Sequence, residues 1–476
     1  MRALCLAPLA LALCAQEVPT TLKDQKGLAV TIYNADLALV KDTREVRLPK
    51  GETALAFQEV SARIRPETAL VRNLTEAKGF WVVEQNFDFD LLTPQKLLDK
   101  YVGEKVTVVR SVPNADGPGV REVREEATVL ATNSGTVLQY ADRIETGVAG
   151  RLIYPKVPST LRARPTLVMT LNSPADRPQK LELSYLTGGL AWKADYVANL
   201  ASDEKTLDLS GWVTLTNQSG TAYPNATLQL VAGDVNRVQE EMDGARPAPM
   251  AMRMAKAEAA PEMREESLFE YHLYTLDRPT TLKENQTKQV ALLSASGVPV
   301  RKEYVVRGES WWFQGQHAEP MDKLKVGVYV EFDNKPESRM GMPLPKGTVR
   351  VYKRDSEGRA QFVGEDRVDH TPRHETVRLK LGDAFDLTAK RRQTDFKSLG
   401  RMGAYRAVYE TSWEVELKNA KKEAVVITVR EPIAGDWEMV SQSHPHTKNN
   451  ARQAEFKVSV PPEGRATLTY RVRARW

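Results

Sequence analysis

The sequence has few cysteines, and this scarcity excludes several kinds of chemistry. The chain of 476 residues has two cysteines, Cys5 and Cys14, and both lie close to the N-terminus. If that segment is removed on export, the mature chain has no thiol, or one acylated N-terminal cysteine. Structural disulfides, a cysteine nucleophile and cysteine-ligated zinc are therefore excluded from the rest of the protein.

Familiar enzyme and nucleic-acid signatures are also missing. The sequence has no G-x-S-x-G elbow, no H-E-x-x-H zinc motif and no glycine-rich phosphate loop. Its 67 basic and 62 acidic residues are spread along the chain, and the formal net charge is +5. Because a nucleic-acid binder concentrates its basic residues on one element, we expect no nucleic-acid partner. We assign no catalytic residue and no cofactor.

The N-terminal segment is the longest apolar run in the sequence. Arg2 is followed by apolar residues from Ala3 to Ala15. A run of this length is short for a transmembrane helix but typical of a secretory signal. We predict a signal peptide over 1–15, with Gln16 as the mature N-terminus; cleavage after Ala12 and a lipoprotein acylated at Cys14 are the alternatives. The mature chain should then have no transmembrane segment and reside in the periplasm or cell envelope.

Alternating apolar residues dominate the remaining sequence. Short alternating runs, such as the one containing Val30 and Ile32, are interrupted by Gly, Pro, Asn and Asp. This pattern predicts an all-β protein: tandem β-sandwich domains, a small SH3- or Sm-like barrel and a C-terminal immunoglobulin-like sandwich. The best helical segment is TPQKLLDKYVG, in which Thr93 can cap the start and Gly103 can end the helix.

Changes in composition suggest the domain boundaries. The expected domains are an N-terminal β-domain over 27–95, the small barrel over 96–160, a β-sandwich over 161–300, a β-domain over 301–398 and the immunoglobulin-like sandwich over 399–476. Residues 234–269 are rich in Met, Ala, Pro and Glu, and are poor in β-branched residues. We predict that this segment is a linker and that 240–268 form no part of a core.

One polar stretch separates two apolar runs. The segment GWVTLTNQSGTAYPNATLQLVAG spans Gly211–Gly233, and its apolar residues alternate on both sides of NQSG. Asn217 and Gly220 supply the chemistry of a turn. The pattern predicts a β-hairpin rather than an active site.

Three long motifs carry a family resemblance. They are TNQSGTAYPNATLQLVAGDVNRV, YHLYTLDRPTTLKENQTKQVALL and YETSWEVELKNAKKEAVVITVREPIAGDWEM, with YRVRARW at the end of the chain. Together they resemble the bacterial domain of unknown function 4139 family, which is similar to the mucoidy inhibitor A group. The resemblance spans roughly Leu28 to Trp476 and implies an exported, β-rich bacterial protein. It implies no activity and no site residue.

Two segments are candidates for a metal site. Thioethers suit Cu(I), and an extended MAMRM would place three on one side; these are Met250, Met252 and Met254. The segment DHTPRHE contains His370 and His374, four residues apart, but Pro372 between them prevents the regular helix that would align them.

Two further segments suggest contact with carbohydrate. In ESWWFQGQH, Trp311 and Trp312 would bind a sugar if one ring of an aromatic strand faced solvent. In FDFD, Asp88 and Asp90 would share one strand face at a separation that could serve a glycosidase, although acidic pairs on edge strands are common.

These patterns favour an exported, non-enzymatic envelope protein with a structural or binding role. Its expected partner is an envelope protein or a polysaccharide. A polysaccharide-directed hydrolase, a carbohydrate-binding protein and a Cu(I)-binding protein are the alternatives.

Overall fold

The computed structural model describes residues 17–34, 36–88, 90–114, 117–158, 160–233, 235–236 and 263–476. The predicted signal peptide and the three methionines of MAMRM lie outside these residues. The chain forms two compact units. The first comprises the described residues of Met1–Ala191, Leu215–Val231 and Arg278–Lys288, and the second comprises those of Trp192–Thr214, Ala232–Asp277 and Gln289–Trp476.

The described residues are mostly β-strand, so the all-β prediction is confirmed. The strands before residue 234 are β1 (Val18–Thr20), β2 (Gln25–Tyr33), β3 (Leu37–Leu48), β4 (Gly51–Gln58), β5 (Leu70–Asn73), β6 (Trp81–Asp88), β7 (Lys105–Pro113), β8 (Val120–Ala131), β9 (Val137–Gln139), β10 (Ile144–Thr146), β11 (Arg151–Ile153), β12 (Thr166–Ser173), β13 (Arg177–Thr187), β14 (Leu190–Leu200), β15 (Thr206–Asn217) and β16 (Tyr223–Ala232).

The strands after residue 262 are β17 (Met263–Leu268), β18 (Tyr271–Leu276), β19 (Thr280–Leu282), β20 (Gln286–Pro299), β21 (Arg301–Arg307), β22 (Met321–Asp333), β23 (Gly347–Arg354), β24 (Ala360–Val368), β25 (Thr376–Met402), β26 (Tyr405–Asn419), β27 (Val425–Pro432), β28 (Asp436–Gln442), β29 (His446–Asn450), β30 (Gln453–Val460) and β31 (Arg465–Arg475). The α-helix is α1 (Pro94–Lys100), and 3-10 turns occur at Leu22–Asp24, Pro66–Thr68, Ser310–Phe313 and Pro336–Ser338.

The first unit contains three sheets. One has the order β1-β4-β12-β6, a second has the order β16-β2-β3-β13-β5, and the third has the order β10-β9-β8-β7-β11. Val30 and Ile32 on β2 are fully buried, as their alternation predicts. In the second sheet, β16 runs parallel to β2. The core of this unit therefore depends on strands that are far apart in sequence.

The segment predicted to be a small barrel contains α1 and the β7–β11 sheet. The Thr93 hydroxyl accepts a hydrogen bond from the Lys96 backbone N–H at 3.1 Å, which confirms the predicted start of the helix. The helix ends at Lys100 with Tyr101 as its C-cap, and Gly103, with φ +88°, lies beyond that cap. The sheet ends on β10 and β11, so no ladder closes it into a barrel within the described residues. In the described ranges, α1 is too short to cross a membrane and no other helix is long and apolar enough to do so.

The predicted hairpin at Gly211–Gly233 is wrong. β15 pairs with β14 and β20, whereas β16 pairs with β2, so the strands on either side of NQSG belong to different sheets. The Asn217 amide donates hydrogen bonds to the carbonyl oxygens of Thr221, at 2.9 Å, and Lys283, at 3.1 Å. Gly220 has φ +83°, and a Cβ there would lie 2.5 Å from the Cβ of Ala62. The polar stretch is a connector between sheets.

The second unit contains a nine-stranded sheet with the order β28-β31-β26-β25-β22-β21-β27-β30-β29. A five-stranded sheet has the order β20-β15-β14-β23-β24, and β17 pairs with β18 in a hairpin. The expected domain boundary at 398/399 falls inside β25, and strands on both sides of it belong to the nine-stranded sheet. The SH3-like and immunoglobulin-like descriptions remain interpretations.

The end of the predicted linker is a strand. β17 pairs with β18 from Met263 to Leu268, and Met263 is buried, with 4% of its surface exposed. The prediction that 240–268 contribute nothing to a core is therefore wrong for Met263, whereas Leu268 is exposed. The sequence of β17, MREESL, lacks the alternating β-branched residues that are typical of a strand. Pairing with β18 determines the conformation of β17 instead.

Candidate functional site

A buried ion pair lies in the interior of the nine-stranded sheet. Arg391 on β25 and Glu431 on β27 have side chains that are 2% and 0% exposed. Arg391 Nη1 donates to both oxygens of Glu431, at 2.5 and 2.8 Å, and Nη2 donates to the Tyr470 hydroxyl at 2.7 Å. Since a buried charge is costly unless it is paired and hydrogen-bonded, these contacts hold the arginine in place.

Aromatic rings enclose the guanidinium group. Its central carbon lies 4.3 Å from the ring centroid of Trp312 and 4.1 Å from that of Trp413. The planes of these two rings are inclined by 34° to each other. The guanidinium group therefore contacts two neighbouring indole rings, which combine apolar contact with attraction between the cation and the π-systems.

The electrostatics keep this cluster in one charge state. Burial alone lowers the pKa of Arg391, but the adjacent Glu431 carboxylate and the Tyr470 hydroxyl outweigh this effect and raise the pKa above its ordinary value. Burial raises the pKa of Tyr470 well above the usual value for tyrosine. The arginine thus remains a cation and the tyrosine a neutral phenol at physiological pH.

A glycine is required beside the ion pair. Gly308 follows β21, and its backbone N–H donates to the Arg430 carbonyl oxygen at 2.8 Å. A Cβ at this position would lie 2.2 Å from Glu431 Oε2 and 3.2 Å from Arg391 Nη1. Glycine therefore allows the chain to pass close to the carboxylate.

Several buried nitrogens in this cluster have no hydrogen-bond partner among the described residues. They are Trp312 Nε1, His317 Nε2, Arg391 Nε and Trp413 Nε1. Unsatisfied polar atoms are uncommon in protein interiors because each lowers stability. Their concentration around one ion pair distinguishes this cluster from an ordinary apolar core.

The exposed edge of the cluster is Trp311. This residue is 56% exposed, whereas the adjacent Trp312 is 5% exposed. The Trp311 ring makes edge contacts with Trp312 and His317, with centroids 6.0 and 5.2 Å apart. The His317 backbone N–H donates to the side chain of Gln393 at 2.7 Å, which fixes the loop. An exposed indole is therefore held against a rigid support.

The Arg391 cluster lies in a region of the chain that matches a known protein family. The model of the Domain of unknown function (DUF4139) matches residues 181–476, which is more than half of the chain. The chain belongs to the DUF4139 family. No curated protein matches the chain. The match begins later than Leu28, where the resemblance in the sequence begins, and it contains all residues of the Arg391 cluster.

Trp311 and Trp312 belong to the DUF4139 region, but they do not lie on the expected strand. The prediction placed them on a strand, but both lie in the 3-10 turn Ser310–Phe313. One ring is exposed and the other is buried, as the prediction requires, because the turn rather than strand alternation separates them. The motif SWWF lacks the regular alternation of a strand.

The ion pair itself was missed, although the sequence holds a signal for it. On β25 the buried positions Leu387 and Ala389 alternate in phase with Arg391, and on β27 the buried positions Ile427 and Val429 alternate in phase with Glu431. A charge at an inward-facing strand position requires a partner. A basic residue at an inward-facing position of one strand and an acidic residue at such a position of another strand would have been enough to predict this pair.

The two histidines of DHTPRHE lie in a loop, as Pro372 predicts. His370 Nδ1 accepts a hydrogen bond from the Lys346 backbone N–H at 3.3 Å. The His374 backbone N–H donates to the Asn334 carbonyl oxygen at 2.7 Å. Within the described ranges, no group of three or more His, Cys, Asp or Glu side chains could hold a metal ion. A site at these two histidines remains a prediction.

Asp88 and Asp90 do not share a strand face. Asp88 is the last residue of β6, and Asp90 follows the strand. Asp88 pairs with Arg162 at 2.8 Å, whereas Asp90 pairs with Lys100 at 2.8 Å. A hydrogen bond from Lys100, supported by Lys96, lowers the pKa of Asp90. The two carboxylates thus have separate basic partners, and the glycosidase interpretation loses its geometric basis.

Proposed function

We propose that this DUF4139 protein is exported to the bacterial cell envelope and acts there by binding rather than by catalysis. The apolar run Ala3–Ala15 supports export, because its length and flanking residues are typical of a secretory signal. The β-rich fold, with its sheets in two compact units, supports a modular binding protein.

This proposal rests on the exposure of the Trp311 ring and on the contacts that hold it in place. Most of its ring is open to solvent, and the rest contacts Trp312 and His317. A rigid aromatic side chain offers a large contact area and loses little conformational entropy on binding. Gln314 and Gln316, on the same loop, are also exposed and could provide amide groups for polar contacts.

A carbohydrate is the ligand class that fits such a surface best. One face of a pyranose ring carries C–H groups that pack against an indole, while its hydroxyl groups remain available to amides and water. We therefore propose that Trp311 stacks on a sugar ring of an envelope polysaccharide. The buried Arg391 is a positioning residue, because it contacts Trp312 and not the proposed ligand.

Titration calorimetry with cellohexaose and chitohexaose tests this proposal. The wild-type chain should bind at least one of them, and Trp311→Ala should lower the affinity about 30-fold, as expected for a central aromatic contact. Trp81→Ala is a matched control, because Trp81 is 55% exposed and lies in the other unit.

Two results would contradict the carbohydrate proposal. One is a wild-type chain that binds neither hexasaccharide. The other is an equal loss of affinity in Trp311→Ala and Trp81→Ala, since this would indicate a general loss of apolar surface rather than a specific site. An unchanged far-ultraviolet circular dichroism spectrum and an unchanged thermal midpoint must accompany each variant, because the support of Trp311 includes buried indoles.

A further inference from the structure

The longest strand of the chain ends in a hairpin that extends past its neighbours. β25 pairs with β26 as far as Met402↔Tyr405. On one side, β22 pairs with β25 no further than Arg391, and on the other, β31 pairs with β26 no further than Val408. Residues 397–406, which we call the hairpin tip, pair within this hairpin, from Lys397↔Glu410 to Met402↔Tyr405. The Arg406 backbone N–H also donates to the Trp476 carbonyl oxygen at 2.6 Å.

The hairpin tip carries positive charge and no acidic residue. Its sequence is KSLGRMGAYR, with Lys397, Arg401 and Arg406 as the cations. Arg401 and Arg406 form no ion pair with any described residue, and Lys397 lies 3.6 Å from Asp395. Asp395 in turn pairs with Arg471. The Tyr405 hydroxyl donates to Asp436 at 2.8 Å, and Asp436 itself pairs with Arg475. Because Asp395 and Asp436 each pair with an arginine outside the tip, the tip retains a net positive charge.

Two apolar side chains lie among these cations. Leu399 is 38% exposed and Met402 is 49% exposed. The stem below them is rigid, since the rings of Phe396 and Tyr409 stack with centroids 5.5 Å apart. Tyr409 also contacts the ring of Trp476, at 5.4 Å. A supported ribbon therefore presents cations and apolar groups together at one end.

We propose that the hairpin tip docks on a membrane surface made of anionic phospholipids. Cations near such a surface are attracted by its negative potential, and exposed apolar side chains gain free energy when they enter the boundary between headgroups and acyl chains. An acidic protein is a poorer fit, because a stable protein interface buries about 800 Å² on each partner and a narrow, convex ribbon offers less. This proposal does not depend on carbohydrate binding at Trp311.

Co-sedimentation of the full chain with vesicles tests the proposal. One set of vesicles is made of phosphatidylcholine alone, and the other also contains phosphatidylglycerol. The wild-type chain should sediment preferentially with the anionic vesicles, and high salt should weaken this binding. The apolar run Ala3–Ala15 is present in every variant, so differences between variants isolate the contribution of the tip.

Two variants with the same net charge distinguish binding by the hairpin tip from attraction by the overall positive charge of the chain. The tip variant is Lys397→Gln, Arg401→Gln and Arg406→Gln. The control is Lys50→Gln, Arg72→Gln and Arg121→Gln, three exposed cations of the first unit without ion pairs among the described residues. Each variant lowers the formal charge by three, from +5 to +2. The tip variant should lose at least about 20-fold in partitioning to anionic vesicles, and the control less than about threefold.

A second tip variant tests the apolar contribution. Leu399→Ser with Met402→Ser keeps all three cations and should weaken binding to anionic vesicles several-fold. Both residues are exposed, so neither substitution removes a core contact. The proposal is overturned if the wild-type chain shows no preference for anionic vesicles, if both tip variants bind like wild type, or if the control loses as much as the tip variant. Retention on a polyglutamate matrix without vesicle binding would instead identify an acidic polypeptide as the partner.

Discussion

Arg391 and Glu431 form a two-bond ion pair across strands that are not neighbours in their sheet. The bonds from Nη1 measure 2.5 and 2.8 Å, and β22 and β21 lie between the two strands in the sheet order. Both side chains are almost completely removed from solvent. Loss of one partner is therefore costly, because the remaining charge would be buried without compensation.

Removal of one charge from this pair should destabilise the second unit strongly. We expect Glu431→Leu to lower the free energy of unfolding by about 3–5 kcal/mol, and the double variant with Arg391→Met to recover most of that loss. Lys105→Met is the control, because Lys105 and Glu126 form a solvent-exposed pair and should contribute about 1 kcal/mol or less. Denaturant unfolding measures all three variants. Additive losses in the double variant would show that the two charges do not act as a pair.

Substitution of Gly308 should have a steric effect on the same pair. The new methyl group in Gly308→Ala would approach Glu431 Oε2 to 2.2 Å, so we expect a loss of about 1–3 kcal/mol from forced displacement. Gly315→Ala is the matched control, because a Cβ there meets nothing within 4 Å. Thermal unfolding followed by tryptophan fluorescence compares them. Equal stability of the two variants would mean that the chain near Gly308 adjusts freely.

The N-terminus should be processed on export. We expect mass spectrometry of the protein from the periplasmic or extracellular fraction to find Gln16 as the first residue, because a small residue, Ala15, precedes it in the signal-like segment. Recovery of a diacylglycerol-modified Cys14 would instead identify a lipoprotein. An intact Met1 in that fraction would contradict processing altogether.

Limited proteolysis tests copper binding at MAMRM. We expect Cu(I) to give no protection of residues 240–262 from protease under reducing conditions, because ordering a chain costs about 1–2 kcal/mol per residue and three thioethers are weak compensation. The comparison variant changes Met250, Met252 and Met254 to Leu, which keeps apolar bulk and removes sulfur. Tight Cu(I) binding that disappears in this variant would make metal handling the leading function.

Protonation of His446 should lower the stability of the folded chain in mild acid. Burial, followed by the nearby charge of Lys448, lowers its pKa from 6.5, and its ring lies near Trp437 and Phe456. Below about pH 6.5 the unfolded chain binds this proton more readily than the folded chain, so the contribution to stability present above that pH is lost as pH falls. Denaturant midpoints measured from pH 7.5 to pH 5 should therefore fall less in His446→Gln than in wild type. His444→Gln, two residues away, should retain the wild-type dependence.

Local sequence alone determined the elements whose signals are complete over a few residues. Thr93 caps the start of α1, and the alternation of Trp413, Val415 and Leu417 identifies an inward face of β26. Capping and period-two burial depend on neighbouring residues, so the sequence is sufficient to predict them. The family resemblance likewise depends on contiguous motifs, and the match over 181–476 confirms it.

Only the tertiary structure decided where strands find their partners. NQSG predicts that the chain turns, but whether β15 and β16 pair depends on β2, β14 and β20, and these compete for the same backbone groups from distant positions. The same reason explains β17, which becomes a strand because β18 pairs with it. Arg391 and Glu431 meet only after their strands enter one sheet. Local residues thus fix turns and faces, whereas backbone hydrogen bonding over long separations fixes the sheets and the cluster they enclose.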